Sequence, residues 1–523
     1  MTSAEATAPE QSVAEAAEWR RLSPRMLLVH PVKEIGRAVP ALVAVLVAGS
    51  GSGHGGLYGL AGAAVVAALA LSRWFTTRYR VGVDQVQIRE GLLRRRTLTA
   101  RLDRVRTVDV TSHFLHRALG LARVEIGTGV SDPKGASTLK LDGLPAEAAA
   151  RLRGELLHRS AAAAGTATAA PPGFSTGLLG TAADVSAAEE VEIAVLRPEW
   201  IRFAPFTLSG AFTALAVLGF GWRLVSESDV DLERFGPLHV VEQQLSGASL
   251  GAAVLEVVVA VVVFIGLAST ARYLLAYWNF RLTRHPGGTF HVSRGLFTTR
   301  ATSIEVSRLR GVEISETLLL RLVGGARTVA IATGLEVGRG ASASGRGSTV
   351  LLPDAPLGEA HRVTGVVIGR PELVSAGLVG HGAAARRRRF SRAVGGAAAL
   401  VGVVWLLWWT LGLTGSDWVA AVVLLPLAVP LAADRACNLG HLVREGFLVT
   451  QSGSLVRRRA TIEIEAIIGW NVQQSFFQRR AGLATLVATT AAGRQSYQLV
   501  DMPLSEARAV TDSCLPGLLA EFR

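Results

Sequence analysis

FLHRALGLARV occupies residues 114–124, and its outline returns twice, as LLLRLVGGART at 318–328 and as FFQRRAGLATL at 476–486. In each copy apolar residues precede an arginine, and a glycine follows that arginine by three positions. Laid over one another without gaps, the copies also share positions further upstream. Gly91, Arg96, Arg117 and Gly120 fall on Gly295, Arg300, Arg321 and Gly324, and these fall on Gly453, Arg458, Arg479 and Gly482. Spacings kept through three copies point to one module used three times.

The residues around the stretch read as short strands. RVGVDQVQIREGLLRRRTLTARL alternates apolar and polar residues and breaks at Glu90-Gly91, as a hairpin does. VRTVDVTS, ARVEIGTG and STLKLDG follow, and the other two copies repeat the order. Six or seven such strands per module predict a small sandwich or barrel. Each module closes on one helical pattern, at 144–159, 356–369 and 503–522. Pro145, Pro356 and Pro503 suit its first turn, where a missing N–H costs nothing, and Glu147, Glu359 and Glu506 complement the helix dipole there. The quoted stretch lies between two strands. Phe114, Leu115, Leu318, Leu319, Phe476 and Phe477 are expected to turn inward, and Gly120, Gly324 and Gly482 to make a turn that a side chain would oppose.

Ahead of each module stand two apolar runs: 38–49 with 57–72, 201–222 with 248–269, and 393–415 with 418–433. Half of the 523 residues are hydrophobic, and the mean hydropathy is +0.36. The runs are apolar all round rather than along one face, which predicts six transmembrane helices in three hairpins. Arg20, Arg21, Arg25, Lys33 and Arg37 precede the first run, Arg73, Arg78 and Arg80 follow the second, and ARRRRFSR at 385–392 abuts the fifth. The opposite connections are poor in arginine. The positive-inside rule then places both termini and all three modules in the cytoplasm, with the chain multi-pass in the cell membrane. The acidic, alanine-rich start lacks the marks of a cleaved signal.

The formal charge is +13, nearly all of it from arginine, and the apolar blocks assign that charge to a membrane surface rather than to nucleic acid. Cys437 and Cys514 stand far apart and read as inert small apolar residues. GSGHGG at 51–56 matches a dinucleotide fingerprint only by letter, lacking the preceding strand and the later acid. His113 and His116 read as a surface pair, not a metal site. No catalytic constellation is visible and no cofactor is expected, so the chain reads as a non-enzyme.

A strand-rich module with a closing helix, the run GLLRRR…RLDRVRTVDV…LHRALGLARVEIGTG and a preceding membrane hairpin resemble the bacterial pleckstrin-homology-like (PH-like) family. The whole chain resembles its YdbT type, and the first third its shorter YdbS type. The resemblance implies an α+β multidomain membrane protein, each hairpin followed by a cytoplasmic PH-like β-barrel or sandwich with a C-terminal helix. The expected order is a disordered tail (1–19), first hairpin (20–73), first PH-like domain (74–159), flexible linker (160–190), second hairpin (197–275), second domain (277–369), basic linker (370–392), third hairpin (393–434) and third domain (437–523).

The family implies no catalytic residue. Expected contacts to lipid or partner are Arg94, Arg95, Arg96, Arg117, Arg300, Arg321, Arg387, Arg388, Arg458 and Arg479, with a structural role as partner of a backbone carbonyl the favoured alternative for the repeated Arg117, Arg321 and Arg479. Copy three has Thr485 where the others have Arg123 and Arg327, so a ligand held by that arginine would bind it more weakly. The expected function is a membrane-anchored scaffold whose modules bind proteins, each other or anionic headgroups, in envelope-stress defence, either in a homo-oligomer or with a protein partner. The alternative is a transporter or channel component regulated by the modules, for which Glu256 inside the fourth run and the proline-broken sixth (Pro426, Pro430) speak.

Overall fold

The computed structural model describes residues 19–21, 23–26, 78–82, 85–90, 96–101, 107–127, 138–154, 190–207, 219, 250–286, 288–333, 350–411 and 424–514. By contact these divide into two units. The first comprises Met1–Val191, Thr283–Val306 and Gly334–Glu336; the second comprises Glu192–Leu282, Ser307–Thr333 and Val337–Arg523.

In the first copy of the module, β1 (Arg20–Arg21), β2 (Arg78–Val81), β3 (Gln85–Glu90) and β4 (Arg96–Arg101) form one antiparallel sheet in that order. The strands β5 (Thr107–Ser112), β6 (Leu121–Gly127) and β7 (Thr138–Pro145) begin a second sheet, and a helix starts at residue 146. The two sheets and the helix share one core. Tyr79, Val86 and Ile88 face Val108, Val124, Ile126 and Leu141, and Ala149 and Leu152 come from the helix. Each fully buried aliphatic side chain here contributes about 1.5–3 kcal/mol relative to exposure.

The second copy holds β8 (Val191–Val195), β9 (Arg281–His285), β10 (Thr289–Arg294) and β11 (Thr299–Glu305), then β12 (Leu309–Thr317), β13 (Gly325–Ala332), β14 (Val350–Pro356) and the helix Leu357–Ile368. The third holds β15 (Gly440–Arg444), β16 (Phe447–Ser452) and β17 (Val456–Glu463), then β18 (Ile467–Gln473), β19 (Leu483–Thr490), β20 (Ser496–Pro503) and the helix Leu504–Cys514. Ala507, Val510 and Cys514 line the helix face buried in the third core, the apolar spacing of a half-buried helix. Burial raises the pKa of the Cys514 thiol, whereas Cys437 is exposed. The three prolines end the strands and stand just ahead of the helices, Pro356 as the N-cap, rather than inside the first turn.

Two of the six expected spans appear among the described residues as helices long and apolar enough to cross a membrane, within Leu250–Tyr277 and Gly382–Thr410. Val258, Val262, Leu267, Val403, Leu407 and Trp409 on them are exposed, as lipid-facing residues would be. Runs 38–49 and 57–72 lie outside the described residues. The run at 201–222 opens in a 3-10 helix, Pro198–Phe206, inside which Pro205 lacks a backbone donor. Of the sixth run only the part from Leu424 is described, and the helix Leu424–Cys437 continues through Pro426 and Pro430 rather than breaking there.

The apolar runs are set into the modules rather than ahead of them. Arg20 and Arg21, upstream of the first apolar pair, are paired with Tyr79 and Arg78 downstream of it. Leu196 donates to the Phe280 carbonyl at 3.0 Å across the second pair. Val379 and His441 exchange two backbone hydrogen bonds, at 2.8 and 3.0 Å, across the third. A hydrogen-bonded backbone thus brackets each apolar segment, and the basic residues read as topology signals also build a sheet edge.

Candidate interaction site at the module joints

The quoted stretch folds into a five-residue helix in every copy: Phe114–Ala118, Leu318–Leu322 and Phe476–Arg480. Gly120, Gly324 and Gly482 follow with φ of 68°, 72° and 65°. That left-handed turn aims the glycine carbonyl at the closing helix. Ala146 donates to Gly120 at 2.9 Å, Leu357 to Gly324 at 2.9 Å and Leu504 to Gly482 at 3.2 Å, each satisfying an early orphan N–H of the helix. Nothing lies within 4 Å of a Cβ built on Gly324, so Gly324→Ala bears only the backbone cost of about 1–2 kcal/mol. Faster hydrogen exchange at the start of Leu357–Ile368 than at its middle is the expected result.

Of the residues expected to turn inward, Leu318 is half-buried and the others point outward. Phe114 is 62 %, Leu319 46 %, Phe476 64 % and Phe477 70 % exposed. In so short a helix only the third residue faces the core, and His116, Leu320 and Gln478 are the buried ones. His116 is therefore no surface residue: its Nε2 lies 3.2 Å from Asp142.

In the first two copies this side of the short helix adjoins the next copy of the module. Within the first unit β5 pairs antiparallel with β11, Thr111 opposite Arg300 and Val108 opposite Ser303. Beside this ladder Arg117 donates to the Leu296 carbonyl at 3.1 Å, His113 Nδ1 lies 3.1 Å from the Thr298 hydroxyl, and Phe114 meets Phe297 edge-on. Within the second unit β12 pairs antiparallel with β17, Ser315 opposite Arg458. Leu318 donates to the Leu455 carbonyl at 2.8 Å, and Arg321 to Asp434 at 2.8 Å. Asp434 also accepts from Ser454 at 2.8 Å. Thr111 and Arg300 are the ungapped counterparts of Ser315 and Arg458, so the two joints share one register.

The joints differ in charge. Arg457 grips Glu316 at 2.9 and 2.5 Å, Arg458 lies 3.4 Å from Glu313, and Arg310 donates to Glu463 at 3.0 Å. Ile331 of the second copy shares an apolar cluster with Ala460, Ile462, Ala492 and Tyr497 of the third. At the first joint Asp109, the counterpart of Glu313, faces Thr302 instead. Its Oδ1 is buried without a hydrogen-bond partner, and burial pushes its pKa up to about 6 although a Thr302 hydrogen bond opposes the shift.

A raised pKa means that the folded state holds this proton more tightly than the unfolded chain. The contribution is full below pH 3.8 and lost as pH rises through 6. Asp109→Asn, neutral at every pH, should match the natural chain near pH 4 and exceed it by about 2–3 kcal/mol at pH 7. Denaturant titration of both proteins across that range checks it.

A second repeated lock explains the missing arginine of copy three. Arg123 pairs with Asp142, and Arg327 pairs with Asp354 at 3.1 and 2.5 Å. In copy three Thr485 accepts from Gln478 at 2.8 Å, and Gln478 also donates to Asp501 at 2.7 Å. The cations on Asp501 come instead from the basic run, Arg388 at 3.0 Å and Arg389 at 2.8 Å. The arginine at position 123 and its counterpart therefore hold their own modules together.

Of the other expected contacts, Arg94 and Arg95 lie outside the described residues, Arg96 opens β4, and Arg387 and Arg479 are exposed. Sequence reasoning missed Glu313, Glu316, Asp434, Asp501, Arg389 and Arg457. The two glutamates facing arginines at matched positions of the next copy were the available signal. Among the described residues no group of three metal-ligating side chains occurs.

Bacterial PH domain sequences match residues 27–160, 242–369 and 393–517, most of the chain and one segment for each copy. The chain belongs to the bacterial PH domain family. Each matched segment of this bacterial PH domain protein takes in apolar sequence and strands together. Domains of this kind suggest an interaction role toward protein or lipid. No curated protein and no solved structure matches the chain.

Proposed function

We propose that this protein is a non-enzymatic, multi-pass scaffold of the YdbT type in the cytoplasmic membrane, with its PH domains on the inner side, where they bind one another, protein partners and anionic headgroups. One observation carries the reading: successive domains already bind each other, twice, through the same strand edges in the same register. Envelope-stress defence is the setting proposed for such a scaffold.

Orientation and lipid contact have their own support. The helix Gly382–Thr410 begins with Arg386–Arg389 and is held to the third domain by Arg388 and Arg389, so its basic end lies on the domain side. Arg388 also donates to Ser475, the N-cap of Phe476–Arg480, at 3.2 Å. That contact brings two exposed phenylalanines and exposed Arg479 and Arg480 beside a candidate span, the mixture of apolar tips and cations that suits an anionic interface.

A polarity-sensitive fluorophore on Phe477→Cys, with Cys437 and Cys514 replaced by Ala, tests this in nanodiscs. The emission should blue-shift in discs rich in phosphatidylglycerol and return toward the aqueous value in high salt. An aqueous spectrum in every disc removes lipid contact from the reading. Failure to trap Val110→Cys with Ala301→Cys as a disulfide in membranes removes the domain joints.

A further inference from the structure

Each domain offers two kinds of strand edge. One is the first strand after the crossover between its sheets: β5, β12 or β18. The other is the last strand before it: β4, β11 or β17. The chain joins β5 to β11 and β12 to β17. Three domains in a row therefore leave one edge of each kind over. Among the described residues β18 pairs only with β19, and β4 only with β3.

The spare β18 edge is dressed for pairing rather than against it. Its sequence, IIGWNVQ, holds no charge and no proline, the devices that usually blunt an exposed edge. Ile468 is 72 % and Val472 48 % exposed, whereas the counterpart strand β12, flanked on both sides, is mostly buried. The equivalent glycines tell the same story. A Cβ on Gly311 would stand 2.1 Å from the Thr461 carbonyl oxygen of the next domain, whereas nothing lies within 4 Å of one on Gly469.

We propose that β18 of one chain pairs antiparallel with β4 of a second copy, assembling the protein head to tail. This deepens the scaffold reading above and rests on its domain joints. Carrying over the shared register sets Gln473 opposite Arg96, Val472 opposite Thr97 and Gly469 opposite Ala100, with Ile468 beside Arg101 as Arg310 lies beside Glu463. A second copy is the occupant because the same chain supplies the one complementary edge that is unpaired among the described residues. The contact is heterologous, so it propagates into rings or filaments rather than stopping at a symmetric dimer. No acid on β18 takes the place of Glu313, whose counterpart is Asn471, so this joint rests on the backbone ladder and apolar contact and is weaker than the one between β12 and β17.

The test uses full-length chains lacking Cys437 and Cys514, in two differently tagged forms expressed together. One carries Val472→Cys and the other Thr97→Cys. Mild oxidation of membranes should give a dimer bearing both tags, and a pair shifted in register, Val472→Cys with Thr99→Cys, should give several-fold less. Two exposed-site variants test the same register without a crosslink. Ile468→Lys, placed beside Arg101, should weaken self-association in nanodiscs about tenfold relative to Ile468→Glu. The proposal is overturned by equal trapping at the shifted pair, by equal self-association of the Lys and Glu variants, or by the absence of a dimer bearing both tags. If the Val110→Cys/Ala301→Cys pair still crosslinks in those preparations, the scaffold reading stands and only the proposed assembly falls.

Discussion

Asp501→Ala should destabilise the third domain by about 3–5 kcal/mol, the cost of leaving buried cations without their counter-charge. The Asp501 side chain has no solvent exposure, and the side chains of Arg389 and Arg388 are 5 % and 12 % exposed. Gln478 would lose an acceptor at 2.7 Å at the same time. The attraction within such a cluster mostly offsets desolvation, so its net contribution is small while its breakage is costly. Replacing Asp501 by Leu together with Arg388 and Arg389 by Leu should therefore recover most of the loss. Hydrogen exchange across β19 and β20 measures both, with the reference taken in the Leu357–Ile368 helix. Removing Asp501 also releases the helix Gly382–Thr410 from the domain. A variant with native exchange in β20 would mean that the basic run is held to the domain by something other than these charges.

The same cluster marks the boundary of what the sequence disclosed. Turn glycines were legible because a positive φ restricts the residue type, and Gly120, Gly324 and Gly482 stand at fixed distances from an arginine whatever surrounds them. The strands were legible from alternation, since each buries one face. Alternation reports faces and is silent about edges. A strand such as β5 has the same pattern whether its edge meets water or β11, so the joints between domains could not be read from it. The inward placement of Phe114 and Phe477 failed for a related reason: an apolar side chain declares that it leaves water, not which surface covers it. Thr485 showed that an arginine was missing from copy three. Nothing in spacing could show that Arg389, almost a hundred residues upstream, occupies its electrostatic place.

Gly311→Ala should disrupt the joint between β12 and β17 by more than about 3 kcal/mol, and Gly469→Ala, the same substitution at the equivalent position of the next domain, should cost about 1 kcal/mol or less. Gly311 has a φ of 153° at a bulge where the pairing of β12 shifts between Leu309 and Gly311. Its Cα faces backbone on the partner strand. An added Cβ would lie 2.1 Å from the Thr461 oxygen and 2.9 Å from the Ile462 Cα. Main-chain atoms cannot swing aside as a side chain can, so the strands must separate locally, and the Glu316–Arg457 and Glu313–Arg458 pairs on the same ladder loosen with them. Gly469 sits at a matching bulge of β18 with open space before it. Protease susceptibility of the chain between β12 and β17 separates the two variants, since only the first should be cut faster. Equal behaviour would mean that the shared register of the joints does not govern their stability. If Gly469→Ala folds normally yet loses head-to-tail trapping through Val472→Cys, the space beside it is where the second copy's β4 backbone comes to lie, as the Thr461 backbone does beside Gly311.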